Sequence, residues 1–237
     1  MSKKSTKSNS NSSTEDSYPL LSAIMLAGKD ALSDIMLAID CFKAQTYPNK
    51  ELIIVNNAKN QSSASKLNIN AEDNIFIIDT PFPLTAGMAR NYGINAANGQ
   101  ILAQFDANYW HHPTRLTSQV TVMAANESHI CMLTSCLKYS FNTGIASILS
   151  NNKNIIPSTM VLVRPAKVDY PNTDKYEECR FLYRMIQNQY KPITLNSPEL
   201  SCKLYFNANE RKIQPVNWKL SDKQFGSITE FVPNYKI

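Results

Sequence analysis

Four short apolar segments, residues 20–26, 52–55, 75–78 and 101–105, each run into polar residues at their carboxyl ends. Those ends are Gly28 to Asp30, Asn56-Asn57, Asp79, and Asp106 to Asn108. Runs nearly continuous in Ile, Leu and Val lack the in-and-out alternation of a strand with one wet face, so both faces of their sheet must be covered. Between them the period changes. Leu32, Ile35, Met36, Ile39 and Phe42 fall on one helical face, and residues 86–97 are Ala-rich and helical in character. Strand and helix in alternation imply an α/β fold with a mostly parallel central sheet and helices on both faces. In such sheets ligands bind beyond the carboxyl ends of the strands, which is where the polar residues collect here.

The second half is less regular. Pro113 suits the first turn of a helix reaching residue 125, residues 129–133 and 160–163 read as strands, and residues 177–189 form a helix with Phe181, Leu182 and Met185 inward. Residues 140–157, rich in Asn and Ser around Gly144, read as a mobile loop. Residues 1–18 hold seven Ser, two Thr and two Asn, a composition that cannot repay the entropy of ordering, and form a disordered tail. Residues 211–237, with Trp218 and Phe225, are too aromatic for that and form a C-terminal extension that packs on the body or on a partner. The domain between them spans residues 19–210.

Charge narrows the function further. The formal +5 resides mostly at the ends, because residues 1–18 carry three Lys against two acids and residues 211–237 five basic against two acidic groups. The body is nearly neutral, which argues against nucleic acid as a partner. No apolar run approaches the roughly 18 residues of a membrane span, and the N-terminus lacks the hydrophobic segment of a secretory signal, so the expected location is cytoplasmic. The five cysteines, Cys41, Cys131, Cys136, Cys179 and Cys202, are odd in number and scattered, as reduced core thiols would be. Only Cys131 and Cys136 are close together, and no second pair completes a zinc site.

Five stretches in register carry a resemblance to a known family: residues 19–25 (PLLSAIM), 44–55 (AQTYPNKELIIV), 89–94 (ARNYGI), 105–108 (FDAN) running into 113–116 (PTRL), and 177–184 (EECRFLYR). In this order they resemble the inverting glycosyltransferases of family two, which have the GT-A fold and use nucleotide-sugar donors. The resemblance covers about residues 19–210. It implies transfer of a sugar from a UDP-linked donor to a hydroxyl of a glycan or other acceptor, with inversion, as in the synthesis of cell-surface polysaccharide or glycoconjugates. It also implies a divalent metal, Mn²⁺ or Mg²⁺, held by an Asp-x-Asp motif. Peripheral association with the inner membrane face or with a protein would fall to the C-terminal extension.

The chemistry explains the residue types. Negative charge accumulates on the departing diphosphate and must be stabilised. Asp106 occupies the first acidic position of the motif, near the donor ribose or the metal, but the position of the family's metal ligand is Asn108. An amide carbonyl can coordinate a hard cation yet brings no charge, so a metal held by Asp106 and Asn108 should be weakly bound or dispensable. Where the family has an acid that reads the N3–H of uracil, this chain has Asn57, which can accept that hydrogen bond or donate to a cytosine instead. Arg90 is expected near the diphosphate, the alternative being an ordinary ion pair with Asp79. Glu178 matches the family's catalytic base, which takes the acceptor's proton during a single displacement. Its neighbour Glu177 can raise its pKa, although an acidic pair at a helix start also complements the helix dipole. His111 and His112 follow the motif and could lend a metal ligand, but two histidines before a helix-starting Pro113 more often do nothing of the kind.

Two other functions compete. The segment Leu26-Ala27-Gly28 resembles the start of a nucleotidyltransferase phosphate loop, but no further Gly or Arg follows in residues 29–32 to cradle a triphosphate. The stronger rival is a catalytically weakened GT-A domain that serves as a nucleotide-sugar-binding or scaffold module. Asn57 and Asn108 favour that rival; Asp106, Arg90 and Glu178 oppose it.

Overall fold

A computed structural model describes residues 18–28, 30, 32–57, 67, 73–140, 145–150 and 155–205. The expected tail, Tyr18 apart, and the expected extension 211–237 lie outside these residues. The elements in chain order are β1 (Leu21–Ala27), α1 (Leu32–Lys43), β2 (Lys50–Asn56), β3 (Ile75–Asp79), α2 (Ala86–Ala96), β4 (Ile101–Gln104), β5 (Tyr109–His111), α3 (Arg115–Ala125), β6 (Ile130–Leu133), β7 (Ser135–Ser140), β8 (Ile145–Ser150), β9 (Ile156–Val163), α4 (Glu177–Gln187), β10 (Pro192–Leu195) and β11 (Ser201–Tyr205).

Seven strands form the central sheet in the order β10-β6-β9-β4-β1-β2-β3. All neighbours are parallel except β9, which runs antiparallel to both β4 and β6. From β1 the chain first builds outward through β2 and β3, then returns to add β4 on the other side. The crevice at the carboxyl ends of β1 and β4 is therefore the switch point where a ligand is expected.

Both faces are covered, and successive residues of one strand show it. Ala23 and Met25 pack with Ile35 and Phe42 of α1 and Leu116 and Met123 of α3, while Ile24 packs with Ala89 of α2 and Phe181, Leu182 and Met185 of α4. The mostly apolar runs of β1 and β2 follow from this, since a polar side chain there must find a buried partner, as Ser22 does in donating to Glu51 Oε1 at 2.6 Å. On α1 the buried stripe is Ile35, Leu37, Ala38, Ile39, Cys41 and Phe42; Met36, expected to face inward, is 53% exposed. Turning Leu37, Ala38 and Cys41 toward the sheet leaves Met36 on the outer side.

A second sheet, ordered β5-β11-β7-β8, lies beside the first. Within the expected mobile loop, residues 145–150 instead form β8, paired antiparallel with β7 from Ser135↔Ser150 to Ser140↔Ile145, and β9 begins at Ile156. Ser and Asn gave this segment a loop-like composition, but Ile148 and Leu149 supply strand-forming side chains for an edge. All five cysteines are free, and Cys179 alone is exposed. Among the described residues no helix is long and apolar enough to cross a membrane.

Candidate donor and catalytic site

The site is organised around a buried guanidinium. Arg90, 5% exposed on the inner face of α2, reaches the carboxyl end of β4 and the first turn of α4. Its Nη2 lies 2.8 Å from Glu178 Oε1, its Nη1 3.3 Å from Asp106 Oδ1, and its Nε 3.7 Å from Glu177 Oε1. The structure thus joins Arg90, Asp106 and Glu178, which lie far apart in sequence, with Glu177 beside them. Asp79 is not the partner of Arg90; it accepts a hydrogen bond from Asn56 Nδ2 at 2.5 Å. Burial works against the Arg90 charge, but Asp106 and Glu178 outweigh it and raise its pKa above the ordinary value. For Glu178 burial is the largest influence and raises the pKa, Arg90 opposes it, and the charges of Asp106 and Glu177 add to the rise, so the group titrates at about 7.

Gln104 also holds the Glu178 carboxyl, and Tyr170 holds Gln104. In the amide orientation that satisfies all its neighbours, Gln104 donates to Pro157 O at 2.8 Å and to Glu178 Oε1 at 3.2 Å, and accepts from the Tyr170 hydroxyl at 2.5 Å. The Tyr170 ring stacks on Phe181 of α4 with centroids 3.9 Å apart. Asn91 fixes the Tyr170 backbone, accepting its N–H at 2.8 Å and donating to its carbonyl at 3.0 Å. Through Asn91, α2 sets the position of the segment that leads into α4.

The turn bearing Asp106 and Asn108 is anchored from beneath. His111 is buried, with Nε2 3.2 Å from Asp106 O and Nδ1 2.8 Å from Arg115 Nη1; burial, then the Arg115 charge, push its pKa well below the ordinary value. Arg115 is also buried and donates to Gln104 O at 2.8 Å and Thr159 O at 3.2 Å. With both ring nitrogens engaged, His111 is unavailable to a metal. His112 Nδ1 accepts from Thr114 N at 3.2 Å at the start of α3. Asp106 Oδ1 takes both terminal nitrogens of Arg90, at 3.3 and 3.4 Å, and Asn108 brings no charge. Among the described residues no group of three or more His, Cys, Asp or Glu is placed to hold a metal ion. These donors do not by themselves make a divalent-cation centre.

Residues 31–208 match the family model described as Glycosyl transferase family 2. The chain belongs to glycosyl transferase family 2. Solved structures agree on the fold. S. aureus TarS 1-349 in complex with UDP is 12% identical with a TM-score of 0.63 over 90% of this chain and 64% of that one. The same protein in complex with UDP-GlcNAc gives 12% and 0.62 over 90% and 65%. The mannosyltransferase PcManGT from Pyrobaculum calidifontis, in complex with GDP-Man and Mn²⁺, is 13% identical with a TM-score of 0.57 over 82% and 58%. The fold is GT-A, and the chain spans about two thirds or less of the length of these structures. No curated protein matches the sequence.

Set against its family, this member departs in ways that the geometry makes concrete. Asn57 Oδ1 accepts from Leu84 N at 2.8 Å and Thr80 Oγ1 at 3.1 Å, and Nδ2 donates to Leu84 O at 2.9 Å. Both lone-pair directions of the amide oxygen are used, leaving one N–H. Asp30, beyond the end of β1, has its pKa raised by burial and by the charges of Asp106 and Asp34. Asp30 stands among the polar strand ends where the sequence placed a ligand, whereas sequence reasoning missed Gln104 and Tyr170. Gln104 carried a signal, a polar side chain inside the apolar run 101–105; Tyr170 carried none.

Proposed function

We propose that this family 2 chain transfers a sugar from a nucleotide-sugar donor to an acceptor hydroxyl with inversion, residues 19–210 forming the catalytic domain. The observation that carries the reading is a carboxyl at the carboxyl end of the sheet, Glu178, poised to titrate at about 7 and tied through Arg90 to Asp106. A base of that pKa holds a proton transiently near neutral pH, as single displacement requires. In the reaction the acceptor oxygen forms a bond to the sugar's anomeric carbon and its proton goes to Glu178. The bond from that carbon to the diphosphate breaks, and its electron pair leaves on the phosphate oxygen. Asp106 contacts the donor ribose, and Arg90 holds Asp106 and Glu178 at a fixed separation and offsets the charge gathering beside them. Asn57 faces the nucleobase with the N–H it has left. A divalent metal at Asp106 and Asn108 is dispensable in this account. UDP and UDP-GlcNAc in TarS support a uridine donor here, and the family resemblance supports a role in polysaccharide or glycoconjugate synthesis at the cytoplasmic side.

The scaffold reading survives on Asn57 and Asn108. A panel of UDP-, GDP- and CDP-sugars, followed by thermal shift and by release of nucleoside diphosphate, separates the two. Binding with turnover upholds the enzyme; binding without turnover for every donor and acceptor favours the scaffold; no binding refutes both.

A further inference from the structure

If Asp106 and Asn108 do not build a metal centre, the charge on a departing diphosphate must be met by the protein, and Arg90 is committed to three carboxylates. Another cation stands at the same turn. Lys203 lies on β11, whose Leu204 donates its backbone N–H to Asn108 O at 3.1 Å, so the strand is bonded directly to the motif. It is the register partner of Tyr109 on β5 and of Lys138 on β7. Its Nζ lies 5.4 Å from the centroid of the Tyr109 ring and 5.6 Å from that of Tyr205, and among the described residues no carboxylate comes within 4.0 Å of it. Lys138, on the adjacent strand β7, shares the Tyr205 ring at 4.3 Å.

The field of Lys203 reaches the site. It is one of the charges that hold the Glu178 pKa down against burial. Aromatic faces hold an ammonium in place without neutralising it, so its charge stays available. Lysine binds phosphate as a point charge on a flexible stem, which suits a group whose charge grows during the reaction.

We propose that Lys203 contacts the donor diphosphate and compensates the negative charge that appears on it as the sugar departs, so that donor binding needs no divalent cation. This rests on the donor-site reading above. Lys203 itself transfers no proton: the acceptor oxygen bonds to the anomeric carbon and gives its proton to Glu178, the bond from that carbon to the diphosphate oxygen breaks with its electron pair on the phosphate, and the new anionic charge is met by the lysine's positive one.

The test is calorimetric titration of UDP, GDP and uridine into the full chain with EDTA and with Mn²⁺, for the native protein, Lys203→Met, Lys203→Gln and Lys203→Arg. Native protein is expected to bind a nucleoside diphosphate in EDTA. Both neutral variants should weaken that binding at least tenfold, leave uridine unaffected, and fold normally by circular dichroism, since Lys203 is only half-buried; Arg should retain most of it. Two neutral side chains of different polarity guard against one that fails to fold. Equal binding by native and neutral variants in EDTA, or native binding that appears only with Mn²⁺, overturns the proposal while leaving the donor site intact. Failure of the native protein to bind either diphosphate under both conditions would instead overturn the donor-site reading, and this proposal with it.

Discussion

Glu178 sets the pH behaviour at the level of single residues. In the unfolded chain its carboxyl ionises near its ordinary 4.5, whereas in the fold it stays protonated to about 7. Between those values the native state holds the extra proton, so this contribution to stability is complete below about 4.5 and is lost as the pH rises through 7. Glu178→Gln should flatten the fall in melting temperature across that window, and an unchanged slope would mean that another group dominates it. The rate should show the reverse trend, with kcat rising to a plateau above an apparent pKa near 7. At Asn108 a substitution distinguishes the charge schemes. Asn108→Asp adds a carboxylate beside Asp106; if Lys203 meets the diphosphate charge, UDP binding in a chelator should weaken about tenfold and recover when Mn²⁺ is added. A variant that binds UDP as the native protein does under both conditions would remove position 108 from the donor site. Asp106, Arg90 and Glu178 were legible because each sits in a short stretch with a family counterpart. Lys203 and Tyr170 were not, since their relation to the site arises only when β11 and the segment before α4 fold back over it.

Helix α2 is the element that positions the others, and its glycines show how closely. A Cβ at Gly87 would lie 1.9 Å from Pro171 O, and the Gly87 N–H donates to Thr173 O at 3.1 Å. A Cβ at Gly93 would lie 2.7 Å from Val55 Cγ2 and 2.8 Å from Ile24 Cγ2. Backbone must therefore move for Gly87→Ala, whereas Gly93→Ala asks two buried side chains to shift. Overpacking of this kind costs about 1–3 kcal/mol, and denaturant melts should place both variants in that range. Gly87→Ala should also slow turnover, because the 171–173 segment it displaces leads to Glu178; a Gly87→Ala protein with native stability and rate would refute this coupling. The four strands flanking α1 and α2 could be read from the sequence, for buried parallel strands are continuous apolar runs. Strands β7, β8, β10 and β11 could not. They are short, Ser-rich or partly exposed, and three of their four pairings, β7–β11, β10–β6 and β11–β5, join segments far apart along the chain, which local patterns do not report.

For the molecule as a whole, the order of the central sheet and the second sheet act together. The reversal at β1 opens the crevice, β4 delivers Asp106 to it, and β11, paired with β5, is bonded to the turn that bears Asn108 and sets Lys203 beside Tyr109. Helix α4 brings Glu178 to the same place, with Arg90 of α2 holding it. The near-neutral body argued against nucleic acid and the polar strand ends marked where a ligand would bind; under the proposed function that ligand is a nucleotide sugar. In the same reading the acceptor falls to the second half of the chain, where the sequence was least regular. The most direct measurement is release of nucleoside diphosphate from a nucleotide-sugar panel by the native protein and by Glu178→Gln, each at saturating donor with a hydroxyl acceptor library. The expected result is transfer by the native protein from at least one donor, with a rate lower by about 10²–10⁴ in Glu178→Gln and donor affinity nearly unchanged. Equal release by the two proteins would contradict the assignment of Glu178 as the base on which the proposed transfer depends.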